Sequence, residues 1–98
     1  MKVLERIVQK IGDWQILEEL DQKHNAIESK YGFPPKRRYR AFAGPHEIDT
    51  LIIEREWESM AVMEEAFTRL MADPEYQVLS SSYPGVVVSS QWELYMLV

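Results

Sequence analysis

The sequence predicts one α+β domain with elements in the order strand, helix, strand, strand, helix, strand. Three observations predict it. Trp14, Leu17, Leu20, His24, Ile27 and Tyr31 recur at spacings of three and four, which is one face of an α-helix. Met63, Ala66, Phe67 and Leu70 repeat that spacing later in the chain. Around these segments, runs such as "LIIEREW" alternate with the period of two expected of strands. A chain of 98 residues, 46% hydrophobic and 28% charged, has globular composition and material for one hydrophobic core, not two.

The elements follow in order. From Val3 to Lys10, β-branched Val3, Ile7 and Val8 stand among charges and Gly12 soon interrupts, which favours a strand over an early helix. Asp13 suits the cap of the first helix, Gly32 stops that helix, and Pro34-Pro35 prevent its resumption. Residues 37–43 read as a strand and Gly44-Pro45 as the turn after it. From Ile48 to Trp57, Leu51, Ile53, Arg55 and Trp57 share one face; Ile48, Thr50, Ile52, Glu54 and Glu56 share the other. Ser59 caps the second helix and Asp73-Pro74 ends it. The link "EYQVLSSSYPG" is poorly patterned, with room for one helical turn. A long last strand, Val86 to about Leu97, puts Val86, Val88, Ser90, Trp92, Leu94 and Met96 on one face. Val87, Ser89, Gln91, Glu93, Tyr95 and Leu97 lie on the other. This βαββαβ order is that of a ferredoxin-like sandwich, an antiparallel sheet with both helices on one side.

Composition excludes several functions. With no cysteine, disulfides and thiolate metal sites are out, which fits the cytoplasm. No run approaches the length of a membrane span, and "MKVLERIVQKIGDW" lacks the apolar core and cleavage site of a signal peptide. A formal charge of -5 repels nucleic acid. "KRRYR" (36–40) is the basic exception: it reads as an edge strand whose charges discourage stray pairing, or as an anion site.

Two helices cover one sheet face only. The other carries Ile48, Ile52, Val87, Tyr95 and Leu97 by alternation, and each aliphatic side chain left wet forgoes roughly 1.5–3 kcal/mol. Burial against a second copy removes that loss, so the expected partner is a homodimer through the open face.

The element order, "YGF" after the first helix, and "IEREWESMAVMEEAFTRLMADPEY" resemble NIPSNAP-like domains of the dimeric α/β-barrel superfamily. A strand ending in Trp57, a helix with Met63, Phe67 and Leu70, and the closing pair Asp73-Pro74 carry the resemblance. It implies that the sandwich forms a dimeric α/β barrel. Its relatives include cofactor-independent monooxygenases, isomerases and haem-degrading enzymes, so it implies a set of activities and no single one.

The candidate residues divide accordingly. His46, beside the Gly-Pro turn, is a candidate base or haem ligand, or an exposed turn residue. His24, on the apolar stripe of the first helix, is a candidate base or a packing histidine with one hydrogen bond. Glu54 shares a face with Glu56; with Arg40 or Arg6 from neighbouring strands they could form a polar end to a cleft, or cross-strand pairs without chemistry. Arg38 and Arg40 share a face and could hold an anion or steady an oxyanion. Tyr39, Trp57 and Tyr95 are candidate pocket walls, while Trp14, Trp57 and Trp92 also serve as core or dimer aromatics. No histidine lies three or four residues from the other, and no catalytic triad, phosphate loop or cofactor motif occurs. The leading expectation is small-ligand binding or protein interaction. A cofactor-independent monooxygenase or isomerase acting on a partly aromatic compound comes second, and haem binding through one histidine third.

Overall fold

The structure, a computed structural model, describes residues 1–98. Strand β1 (Val3–Ile11) leads through Gly12 and Asp13 into helix α1 (Trp14–Lys30). Strands β2 (Lys36–Arg40) and β3 (Thr50–Trp57) follow, then α2 (Met60–Met71), a short α3 (Pro74–Ser80) and β4 (Val87–Met96). Side chains start the helices as their sequences suggest. Asp13 accepts from the Ile16 N–H at 3.0 Å and Ser59 from the Val62 N–H at 3.2 Å. Asp73-Pro74, which closes α2, also opens α3: the Asp73 carboxylate accepts from the Tyr76 N–H, and Pro74 occupies the first helical turn, where its missing N–H costs nothing. Gly32 leaves α1 with a φ of 73°, a conformation open to glycine and strained for other residues.

The sheet has four antiparallel strands in the order β2-β3-β1-β4. It is open, and this corrects the expected dimeric α/β barrel: the sheet is not closed into a barrel. The central strands β3 and β1 have both edges paired. β2 and β4 lie three strand spacings apart, about 14 Å at the usual ladder spacing, with nothing between their free edges to join them. β2 is also short, five residues rather than the seven expected. Its pairing ends after the Ala41 N–H donates to Thr50 O, and the chain loops outward through residues 41–49, where Phe42 is 94% exposed.

Both helical layers lie on one face. Leu17, Leu20 and Ile27 of α1 form a core with Ile11, Leu51, Ile53, Leu70, Leu79 and Val86. A second cluster joins Val3 and Trp57 to Met63 and Ala66 of α2. Each fully buried side chain of this kind stabilises the fold by roughly 1.5–3 kcal/mol. All four inward residues of β3 are buried: Leu51, Ile53, Arg55 and Trp57.

The register of β4 departs from simple alternation. A bulge opposite Lys10 and Ile11 pairs Ile11 with Val87, which turns Val87 toward the helices, half-buried against the core. Ile48 lies before β3 and is exposed. Two of the apolar residues assigned to the open face are therefore elsewhere. What remains there is a mixed surface. One row across the strands is Tyr39, Ile52, Val8 and Gln91, and a neighbouring row is Arg37, Glu54, Arg6 and Glu93. No helix is long and apolar enough to cross a membrane.

Gly12 marks the tightest approach between the ends of β1 and β4. Its N–H donates to Val86 O at 2.7 Å, and a Cβ there would meet Gly85 O at 2.6 Å. Gly12→Ala is expected to destabilise the fold by about 1–3 kcal/mol, since the obstacle is backbone and not a movable side chain. Urea unfolding measures this; an unchanged midpoint would show that the two segments part without loss.

Candidate functional site

The functional side chains grow from charges placed at inward strand positions. Glu5 alternates with Val3 and Ile7 on β1; Arg55 alternates with Ile53 and Trp57 on β3; the register sets Glu5 opposite Arg55. Both are buried, at 1% and 4% exposure. Arg55 Nη1 donates to Glu5 Oε1 (3.3 Å), Nη2 to Glu28 Oε1 (2.9 Å) and Nε to Pro34 O (2.9 Å). Two indoles complete the shell of Glu5. Trp57 Nε1 donates to its Oε1 (3.0 Å) and Trp92 Nε1 to its Oε2 (2.9 Å). Burying ions costs several kcal/mol each unless partners and hydrogen bonds replace water, and here each ion has both.

Helix α1 supplies the facing groups. Asp21, His24 and Glu28 lie three and four residues apart on its inner face. Lys36 of β2 donates to Asp21 Oδ1 at 2.7 Å and lies 3.7 Å from Glu28. Burial pushes the Glu28 carboxyl upward, but the His24 hydrogen bond and the charges of Arg55 and Lys36 outweigh it and hold it below its ordinary value. His24 is held from two sides, with Nε2 3.3 Å from Glu28 Oε2 and Nδ1 2.9 Å from the Tyr83 hydroxyl. Assigned from these partners, the neutral ring carries its proton on Nε2, toward the carboxylate, and Nδ1 accepts from Tyr83. The Tyr76 ring meets it edge-on with centroids 5.3 Å apart. Burial first, then Asp21 and Glu28, raise the Tyr83 phenol well above its ordinary range, so it stays protonated. These groups surround a cavity of about 80 Å³ lined by Asp21, His24, Glu28, Lys36, Arg55 and Tyr83 with apolar neighbours. That is room for a few waters or one end of a small molecule.

A larger, open groove of about 770 Å³ lies on the α2 side of the same layer. Ile7, Met63, Phe67, Met71, Tyr76 and Trp92 form most of its walls, with buried Glu5 beneath them. Ile7 lines both hollows, and Tyr76 lines the groove while packing on His24. A third hollow of about 590 Å³, between α1 and α3, has only exposed polar side chains at its rim and brings no chemistry together.

The residues picked out from sequence lie in four places. His24 and Trp57 belong to the buried network, Trp57 as a core ring bonded to Glu5. Arg38 and Arg40 do share the helix-side face of β2, but they are engaged. Arg38 grips Glu18 with two hydrogen bonds of 2.5 and 3.1 Å, and Arg40 donates to Ile48 O while its guanidinium stacks 4.4 Å from the Trp14 ring centre. Glu54, Tyr39 and Tyr95 are on the open face. Glu54 sits between Arg6 and Arg37 (4.0 and 3.8 Å), and the Tyr95 hydroxyl donates to Glu93. His46 is exposed on the 41–49 loop, beside a shallow polar hollow with Lys10 and Glu47. Neither histidine lines the apolar groove. Sequence reading missed Glu5, Glu28, Asp21 and Tyr83, and had Lys36 only as part of the basic run 36–40. The available signal was two opposite charges, Glu5 and Arg55, at inward positions of strands, with Glu28 one turn beyond His24.

The depressed Glu28 carboxyl makes the site sensitive to acid. A carboxyl lowered by folding contributes stability that is complete above 4.5, its ordinary value, and is lost as pH falls through the lower folded value. Glu28→Gln is expected to flatten this acid limb of the stability curve and to lower stability near neutrality by leaving Arg55 and Lys36 short of a partner. Urea unfolding at stepped pH reads both effects; an acid limb identical to that of the parent would contradict the assignment.

No protein-family model matches the chain, and no curated protein matches it. Solved structures do. A NIPSNAP family protein from Agrobacterium tumefaciens is 17% identical with a TM-score of 0.78, over 99% of this chain and 86% of that one. An uncharacterized NIPSNAP-like domain protein from Burkholderia xenovorans is 14% identical with a TM-score of 0.81, over 99% and 85%. SnoaB, a cofactor-independent oxygenase from Streptomyces nogalater, is 13% identical with a TM-score of 0.72, over 98% and 92%. Identities this low speak for shared architecture and not for shared chemistry. At the level of fold the resemblance read from the sequence is borne out: this chain has the fold of NIPSNAP-family proteins.

Proposed function

We propose that this protein binds a small, flat, partly aromatic molecule in the groove between α2 and β4. The observation that carries the reading is the groove itself, about 770 Å³ with three aromatic rings and two methionines around one buried carboxylate. Apolar walls with a few fixed polar groups are the usual composition of a small-molecule site. Trp92 is 54% exposed although its indole N–H is held by Glu5, so its ring offers a fixed stacking surface. Amide chemical-shift mapping with 2-naphthol tests this. Shifts should concentrate at Met63–Met71 and Trp92; shifts confined to other surfaces would contradict it.

A second reading, proton-transfer chemistry of the kind an oxygenase without cofactor or an isomerase needs, rests on the Glu28–His24–Tyr83 chain. A substrate hydroxyl would donate to Tyr83 Oη as Tyr83 passes its own proton to His24 Nδ1. The substrate becomes an oxyanion, and Glu28 balances the imidazolium. This agrees with a Tyr83 phenol that resists standing alone as phenolate. SnoaB, named as a cofactor-independent oxygenase, has the same architecture.

The proposal extends to assembly and location. The subunits pair through their open faces as two stacked sheets. The row Arg37, Glu54, Arg6, Glu93 alternates in sign across the strands, so a two-fold axis sets it against its own reverse, each Arg opposite a Glu. Tyr39, Ile52 and Val8 supply the adjoining apolar contact. A cysteine-free chain suits the reducing cytoplasm, where the proposal places it. Light scattering at micromolar concentration should give twice the chain mass, and Ile52→Arg should return it to one. A parent protein that scatters as a single chain would overturn the pairing.

A further inference from the structure

We infer that the α2–β4 groove is selective by charge: it takes neutral or cationic aromatic molecules and turns away carboxylates and other anions. The inference rests on the reading of this groove as the ligand site and names the chemical class it accepts.

The lining carries the argument. Its ionisable groups other than Tyr76 are Glu5 and Glu64, and no lysine, arginine or histidine lines it. The cation of the buried network, Arg55, is committed elsewhere. Besides Glu5 Oε1, it donates to Glu28 and to Pro34 O, on the α1 side of the layer. Glu5 therefore presents to the groove the edge of its carboxylate that the arginine does not hold. Oε1 already accepts from Arg55 and Trp57, whereas Oε2 accepts a single bond, from Trp92. Glu5 is almost wholly covered, so it acts on a ligand through its charge and through its hold on the Trp92 indole rather than by direct contact. At 1% exposure Glu5 is little screened by water; Arg55, 3.3 Å from its Oε1, offsets part of its charge, and what remains adds to the charge of Glu64 against an anion in the groove.

The walls favour the same class. The faces of Phe67, Tyr76 and Trp92 carry negative potential, which attracts ammonium groups and repels anions. Met63 and Met71 adapt to ring shape without adding charge. The rim adds Thr68 and Ser90, hydroxyls that serve either role and set no preference.

Three probes of one shape test the inference: 2-naphthylmethylammonium, 2-naphthol and 2-naphthoate, titrated while the Trp92 indole N–H resonance is followed. The cation and the naphthol should bind at least about tenfold more tightly than the carboxylate, the margin set by one like-charge contact. Glu64→Gln should narrow that margin in part, and Glu5→Gln should remove most of it. Should Glu5→Gln not fold, the parent ranking and Glu64→Gln still decide. Naphthoate binding as tightly as its partners would overturn the charge selectivity while leaving the groove as a ligand site. A margin unchanged in every folded variant would overturn the role given to these carboxylates. Failure of all three probes to shift Trp92 would remove the groove as a ligand site, and the inference with it.

Discussion

A guanidinium held between two carboxylates, with all three buried, is the constraint on which the rest of this structure depends. Arg55 joins β3 to β1 through Glu5 and to α1 through Glu28, and its third hydrogen bond fixes the Pro34 carbonyl just before β2. One side chain thus ties together three elements and the entry to a fourth. The arrangement tolerates little displacement. A one-residue slip between β1 and β3 would turn either Glu5 or Arg55 to the open face and strand its partner without water. Apolar packing supplies most of the stability, but apolar contacts are forgiving of small shifts. The ionic contacts are not, and they pin the register and the seating of the first helix.

The same network divides the covered side of the sheet into two unlike environments. Toward α1, carboxylates and cations alternate around His24 and Tyr83, and the hollow there is small, with charged groups set among Ile7, Leu17, Leu51 and Ile53. Toward α2, the cations are absent, the walls are aromatic and thioether, and the charged groups are Glu64 and the covered Glu5. Ile7 and Tyr76 stand between the two. A ligand in the larger groove would lie against the same tyrosine, Tyr76, whose ring packs on His24, whereas His24 and Tyr83 themselves line only the smaller hollow. The open face plays no part in this chemistry. Its charges pair across strands, and its alternation of sign suits contact with a second copy.

The elements of the fold were legible because their signals are local. Caps at Asp13 and Ser59, a stop at Gly32 and the three-and-four spacing of the helical stripes each report on a few neighbouring residues, and the structure keeps all of them. What was not legible depends on relations between distant segments. The bulge that turns Val87 inward arises only when β4 is laid against Ile11. The short α3 hides in a stretch without helical patterning, and Asp73-Pro74 reads more readily as an end than as a beginning. The openness of the sheet is a property of strand order, which the list of elements does not contain. The site was hardest to see because Glu5, Glu28 and Lys36 carry the residue types of a wet surface. Only the inward phase of Glu5 and Arg55 on their strands sets them apart, and phase becomes informative once the covered face is known. Tyr83, from a loop 59 positions beyond His24, gave no sequence signal.

The central claim is that Glu5 and Arg55 act as one buried unit. A double-mutant cycle with Glu5→Leu and Arg55→Met, followed by urea unfolding, tests it most directly. Arg55→Met leaves Glu5 buried without a cation and is expected to cost about 3–5 kcal/mol; Glu5→Leu leaves Arg55 with Glu28 alone and should cost less, and the double change should fall short of the sum by about 2 kcal/mol or more. Losses that add to within about 0.5 kcal/mol would show that the two side chains contribute independently, and the account of how this fold is fixed would be wrong.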